Sequence, residues 1–276
     1  MTVWSCLTCG IEYPDTVTPP DCCLICTDER QYVPPTGQQW VTQQQLESRH
    51  AFTLTEVEPR LHSIEVTPAF GIGHRPLVVS TDGGNLVWEP SGFLSPGLVD
   101  AIRNLGPVVA ISASHPHLTG ASISLSHALG GVPVYVNADD RRWVCRPDDV
   151  IEFWTDRLDI TAGLSLVQAG GHFPGSSVAH WAGGAGGRGV LLSGDTVMVS
   201  ADLRSVSFMR SYPNNIPLSA RSVRKIAAAL APLDYDRIRG AFGTAIQVDA
   251  RQLVEDSANR YIGWLTDAIR DPDERL

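Results

Sequence analysis

Lysine is almost missing from this chain: of 21 basic residues, only Lys225 is a lysine and the rest are arginine. Lys225 falls inside a helical pattern and follows no glycine-rich loop, which excludes a lysine phosphate cradle and argues against Schiff-base chemistry. No apolar run approaches the roughly eighteen residues that a membrane span needs. The first ten residues lack a basic stretch followed by an apolar one, so no secretory leader is read there and a cytoplasmic location is expected. Positive charge is also in deficit: the net charge of −9 is the wrong sign for a nucleic-acid surface. No G-x-S-x-G elbow occurs, so a catalytic serine has no support. These absences leave neither nucleic acid nor membrane as an expected partner.

What is present is concentrated. Five of the six cysteines lie between Cys6 and Cys26. Cys6-Leu7-Thr8-Cys9-Gly10 is one C-x-x-C unit and Cys23-Leu24-Ile25-Cys26 a second, with Pro14, Pro19 and Pro20 between them. Two such turns aim paired thiolates at one centre, which suits a tetrahedral zinc or a single iron. The segment is too short for a core of its own, so metal would supply its folding energy. Cys22 competes with Cys23 as a ligand, but only Cys23 keeps the two-residue spacing to Cys26. The segment resembles rubredoxin and zinc-ribbon knuckles. Cys145 stands apart and reads as a buried, idle thiol.

Residues 31–44 are polar, proline-containing and glutamine-rich, and read as a linker. Short β-rich runs follow at 61–66, 76–80 and 85–89. Ser95-Pro96 opens a helix, with Leu98, Ile102 and Leu105 on one face. Residues 108–112 form an apolar strand, 122–129 a helix and 132–136 another strand. The grammar then repeats: strands at 164–168, 177–181 and 190–192, a helix after Ser219, and a short strand at 238–239. A last helix is expected over 248–269, with Ala250, Leu253, Val254, Ser257, Tyr261, Trp264 and Leu265 inward. Strand–helix alternation, twice over, predicts two sheets with helices outside.

Three polar features fall at strand ends. His115-Pro116-His117 puts two imidazoles on one short loop, His172 sits in the turn Gly170-Gly171-His172-Phe173-Pro174-Gly175-Ser176, and Asp195 follows the strand at 190–192. Three histidines and a carboxylate form a first shell for zinc or iron. His74, Arg210, Tyr212 and Asn214 lie in segments suited to substrate contact. His127 and His180 read as structural.

In this order the motifs resemble those of the metallo-β-lactamase fold superfamily, over roughly residues 52–265. The G-H-F-P-G-S and S-G-D-T segments are the closest matches. The resemblance implies an α/β fold, the four-layer αββα sandwich, with metal at the edge between the sheets and hydrolysis as the activity. The expected organisation is a four-cysteine metal knuckle with linker over residues 1–45 and the sandwich over 46–276. The departures are specific. Thr119 and Gly120 stand where the family has Asp and His, and residues 240–244 hold no late histidine. Those missing residues would bind a second metal, so the site implied is mononuclear, with His115, His117, His172 and Asp195 as ligands and His172 and Asp195 catalytic. The expected cofactors are one zinc there and one in the Cys6/Cys9/Cys23/Cys26 knuckle, with iron as the alternative at either. The function expected is hydrolysis of an ester, lactone or thioester. An iron redox protein and a non-catalytic binding protein of this fold are the alternatives, and the knuckle is a candidate homodimer contact.

Overall fold

Alternation along the strands decides the layers. In Leu77–Thr81, Gly84–Trp88 and Val108–Ser112, the side chains of Val78, Val87 and Ile111 face one way, and Val79, Leu86, Trp88 and Ala110 the other, as strand geometry requires. The first set packs under the helices Pro96–Asn104 and Ser122–Ala128 through Leu98, Val99, Ile102, Ile123 and Leu125. The second set meets Leu166, Ala179, Trp181, Val190 and Leu192 of another sheet. That sheet turns Val167, Val178, Leu191 and Ile238 outward, beneath the helices Ala220–Leu230 and Ala250–Leu265. The result is an αββα sandwich, the fold class that the sequence implied.

The computed structural model describes residues 2–273; the outer ends of the two expected segments, residue 1 and residues 274–276, lie outside them. Among the described residues the first sheet has seven strands, in the order Ile151–Trp154, Val134–Asn137, Val108–Ser112, Gly84–Trp88, Leu77–Thr81, Leu61–Thr67, Ala51–Glu58. The first four run parallel and the remainder antiparallel. The second has six, in the order Arg157–Thr161, Leu164–Gln168, Ser177–Trp181, Val190–Leu192, Arg237–Arg239, Ala245–Ile246. The Ser95 hydroxyl accepts from Leu98 N and the Ser219 hydroxyl from Ser222 N, fixing two helix starts as capping predicts.

Two expectations need correcting. The linker of residues 31–44 contains Trp40–Val41, a strand paired with Thr2–Cys6, which itself pairs with Glu12–Thr16. Gln43 donates to the Gly92 carbonyl and accepts from Leu94 N, so its polarity serves long-range hydrogen bonds rather than solvent. The last helix is Ala250–Leu265, shorter than expected, and Trp264 and Leu265 are 52% and 43% exposed. Trp264 lies off the stripe of Ala250, Val254 and Ala258, and Leu265 lies beyond the end of the core that this stripe covers.

The three-stranded sheet is tied to the sandwich by one buried carboxylate. Glu12 accepts from Ile123 N at 2.6 Å, Ser124 N at 3.1 Å and Ser124 Oγ at 2.6 Å, while Arg146 donates to its Oε2 at 2.5 Å. The first-turn amides of a helix need such an acceptor, and the arginine balances the charge. Glu12→Ala leaves the two backbone donors unpaired and takes from the mostly buried Arg146 its close carboxylate, with Ser124 Oγ and the more distant Asp15 remaining. It should lower the unfolding free energy by about 3 kcal/mol, measured as a reduced urea midpoint at unchanged slope.

Candidate metal centre

The donor side chains all stand just beyond strand ends, and the sandwich brings those ends to one edge. His115 and His117 follow Val108–Ser112, His172 lies between Leu164–Gln168 and Ser177–Trp181, and Asp195 follows Val190–Leu192. One ligand atom from each of these four lies within 4.8 Å of the others. His172 Nε2 and His117 Nδ1 are 3.4 Å apart, and His115 Nε2 is 3.8 Å from Asp195 Oδ2. The residues are only 1–6% exposed. Close approach of the Asp195 segment requires Gly194, at φ 52°, because a Cβ there would collide with Ser114 Oγ and Glu89 Oε1.

The far sides of two of the rings, His172 and His115, are occupied. His172 Nδ1 donates to the Met209 carbonyl at 3.0 Å. The Ser114 hydroxyl donates to Glu89 Oε1 at 2.5 Å, so Ser114 Oγ accepts from His115 Nδ1 at 2.9 Å. Both bonds place the proton on Nδ1 and leave Nε2 as a bare donor toward the cluster. His115 Nε2, His117 Nε2 and Asp195 Oδ1 are buried without a protein partner. Buried polar atoms are nearly always satisfied, and a cation satisfies His115 Nε2 and Asp195 Oδ1 at once. A tetrahedral zinc with nitrogens at about 2.0–2.1 Å spaces them by about 3.4 Å, the separation found between His172 and His117. The residues fit a metal.

Burial sets the charge states. It holds His115 and His117 well below the ordinary imidazole value, with the neighbouring His172 as the next cause, and it lowers His172 to about 4. The three rings are therefore neutral and ligand-ready at neutral pH. Burial alone pushes Asp195 up to about 7, the expected response of a carboxylate enclosed without a counter-charge.

Cys6, Cys9, Cys23 and Cys26 form a second group. Cys6 and Cys26 sulfurs are 3.6 Å apart, as are those of Cys9 and Cys23, close to the about 3.8 Å edge of a tetrahedral zinc–thiolate centre. Burial holds the Cys9 thiol up, whereas hydrogen bonding from Cys23 pulls Cys6 down, so the four sulfurs cannot ionise together without a cation. Gln38 Nε2 donates to Cys6 Sγ at 3.0 Å, and Cys22 is exposed outside the group. Cys145 is half-buried beside it, its thiol directed at the Trp143 carbonyl.

The remaining candidates are placed differently. His74 is buried, with Nε2 against the Glu89 and Pro90 carbonyls. The Tyr212 ring lies 5.8 Å from that of His172, and its hydroxyl donates to the carbonyls of Ser207 and Asp195. Arg210 pairs with Glu29, and Asn214 donates to the carbonyls of Glu29 and Gln31, so both side chains are engaged by the chain beyond the knuckle. His127 pairs with Asp148 and His180 meets the Asp234 carbonyl. Gly120 has φ 48°, and a Cβ there would collide with the Pro90 carbonyl; a histidine side chain has no room at this position.

Glu89 was missed in the sequence. It lies just past Gly84–Trp88, is 1% exposed and adopts φ 57°, an unusual conformation for a side-chain-bearing residue. The signal that could have found it is an acid at a strand end on the same edge as the histidines. Its Oε2 has no protein partner.

This site sits in a metallo-β-lactamase fold. The chain superposes on the solved structures of TMB-1 (TM-score 0.58, 14% identity, 76% of this chain and 98% of that one) and VMB-1 (0.57, 15%, 79% and 98%). It also superposes on the metallo-beta-lactamase DIM-1 (0.55, 13%, 79% and 98%). No model of a known protein family matches it. In sequence it is 41% identical over 272 residues to the uncharacterized protein YmaE of Bacillus subtilis (strain 168), covering 98% of this chain and 99% of that one. The chain belongs to the YmaE family.

Burial, with the Asp195 charge adding to it, raises Glu89 to about 8 from the ordinary carboxyl value. A folded value above the unfolded one means that the unfolded chain releases its proton first as pH rises. The contribution is full below about pH 4.5 and is lost as pH climbs through about 8. The isosteric Glu89→Gln should therefore lose about 1–2 kcal/mol less stability than the parent between pH 5 and 8, measured by urea unfolding across that range.

Proposed function

We propose that the protein is a metal-dependent hydrolase with one metal in the His115/His117/His172/Asp195 group, acting on an ester, lactone or thioester of a small molecule. A structural metal sits in the four-cysteine knuckle; residues 1–45 make up the knuckle and its connection, and 46–276 the catalytic sandwich. Zinc suits both donor sets. The observation that carries the reading is the convergence of three neutral imidazoles on a carboxylate whose Oδ1 has no protein partner.

A divalent ion bound there would polarise a carbonyl and lower the pKa of a water toward neutrality. The chain's own part is to hold and move protons. Met209 and the Ser114–Glu89 pair fix two ring tautomers. Asp195 can take a proton at Oδ1 when that oxygen is not engaged as a ligand. Thr119 stands where the metallo-β-lactamase pattern that the sequence resembles has an Asp after the histidine twins, so Asp195 is the carboxylate available for this work. With one carboxylate in both roles, the substrates favoured are those with good leaving groups.

A second reading has its own support. All four donor residues are nearly closed to solvent, and closed four-ligand sites are typically structural, whereas catalytic sites keep a position open. Turnover separates the two. A panel of activated esters, lactones and thioesters should show hydrolysis that a chelator abolishes and added zinc restores, with His172→Ala and Asp195→Asn each slower by about 100-fold or more. Full activity in His172→Ala, or no metal-dependent turnover across the panel, overturns the hydrolase reading and leaves the closed-site one.

A further inference from the structure

The chain immediately after the second cysteine pair is built into the walls of the histidine site. Arg30, four positions beyond Cys26, is 4% exposed although charged. Its Nε donates to the backbone carbonyl of His172 at 2.6 Å. Its guanidinium lies 4.4 Å from the Phe173 ring centroid, and that ring in turn contacts the rings of His115, His117 and His172 at centroid distances of 5.6, 4.8 and 5.3 Å. Asp28 holds the guanidinium from the knuckle side at 2.7 Å. Phe173 packs in the same apolar cluster as the four knuckle cysteines.

The grip has a second arm. The Arg30 carbonyl accepts from Ser211 Oγ at 3.0 Å. Ser211 belongs to Met209–Ser211, the strand whose Met209 carbonyl accepts the His172 Nδ1 proton. One short segment thus fixes both the backbone that carries His172 and the acceptor that orients its ring. A metal in the knuckle would order that segment, because thiolate ligation supplies folding energy to so short a stretch.

We propose that Arg30 is a positioning residue that couples the two metal groups: a metal on Cys6, Cys9, Cys23 and Cys26 tightens the grip of His115, His117, His172 and Asp195 on theirs. This rests on the reading that both groups take a metal, and not on hydrolysis. A buried guanidinium donating to a carbonyl and stacked on an aromatic ring has one orientation, so it transmits the order of the knuckle to His172. Coupling of this kind is reciprocal and typically about 5- to 150-fold in affinity.

The test is cobalt(II) titration of the full chain after metal removal. The thiolate charge-transfer absorption reports the knuckle, and the ligand-field bands of the nitrogen–oxygen site report the histidine group. Arg30→Met keeps the apolar stem and removes the donor. It should weaken cobalt binding at the histidine group of the knuckle-loaded protein about tenfold, while the knuckle midpoint read with the histidine group still empty stays within about twofold. Arg30→Lys, which retains a cation and a donor, should recover part of the loss. Emptying the knuckle with Cys6→Ser and Cys26→Ser should weaken the histidine group at least as much, with no further loss on adding Arg30→Met. If the cysteine variant does not fold, the two arginine variants decide alone. An unchanged histidine-group affinity in Arg30→Met overturns the proposal, as does an equal loss at the knuckle while the histidine group is empty. A parent protein whose histidine group takes no cobalt overturns the metal reading itself. Coupling without any turnover would uphold this proposal while the hydrolase reading fails.

Discussion

The structure depends on a single constraint: four side chains that prefer water or a partner are buried together, and three of their polar atoms, His115 Nε2, His117 Nε2 and Asp195 Oδ1, meet no protein partner. His115 Nε2 and Asp195 Oδ1 share this enclosure without a hydrogen bond to either. Leaving such groups unsatisfied costs about 1–3 kcal/mol apiece, so the surrounding fold must impose the arrangement and a cation must relieve it. The two sheets impose it by ending their strands at one edge. Gly194 and Gly120 allow the loops to close on that edge without side chains in the way, and the Met209 carbonyl and the Ser114–Glu89 pair hold two of the rings in register.

The knuckle belongs to the same arrangement. Its cysteines form a thiolate cage with spacings suited to one ion, and Glu12 locks its sheet onto the helix that follows the histidine loop. Arg30 and the residues around it then reach the His172 turn and the 209–214 segment. What composition presents as a small appendage is, in the folded chain, part of the enclosure of the histidine site. This also explains why Arg210 and Asn214 are occupied by backbone and carboxylate partners from residues 29–31.

Much of the sandwich was legible because strands report their burial by pattern. The runs at 108–112, 164–168, 177–181 and 190–192 are apolar enough on both faces to be read directly, since each is covered by helices on one side and the opposite sheet on the other. Ala51–Glu58 was not read as a strand because it is an edge with a mostly polar, half-exposed sequence. Trp40–Val41 was hidden in a glutamine-rich stretch whose polar side chains bond across the chain. The histidines and Asp195 were legible from type and order. Glu89 and Arg30 were not, because each acts through a neighbour's hydrogen bond or carbonyl, and nothing in local sequence marks a residue whose partner lies 25 or 142 positions away.

The central claim is that the chain encloses two metal ions of different ligand chemistry. X-ray absorption at the metal edge, combined with metal content per chain on the protein as purified, reads this most directly. The account predicts two ions per chain, one surrounded by sulfur alone and one by nitrogen and oxygen alone. A single ion in a sulfur-only environment would contradict it.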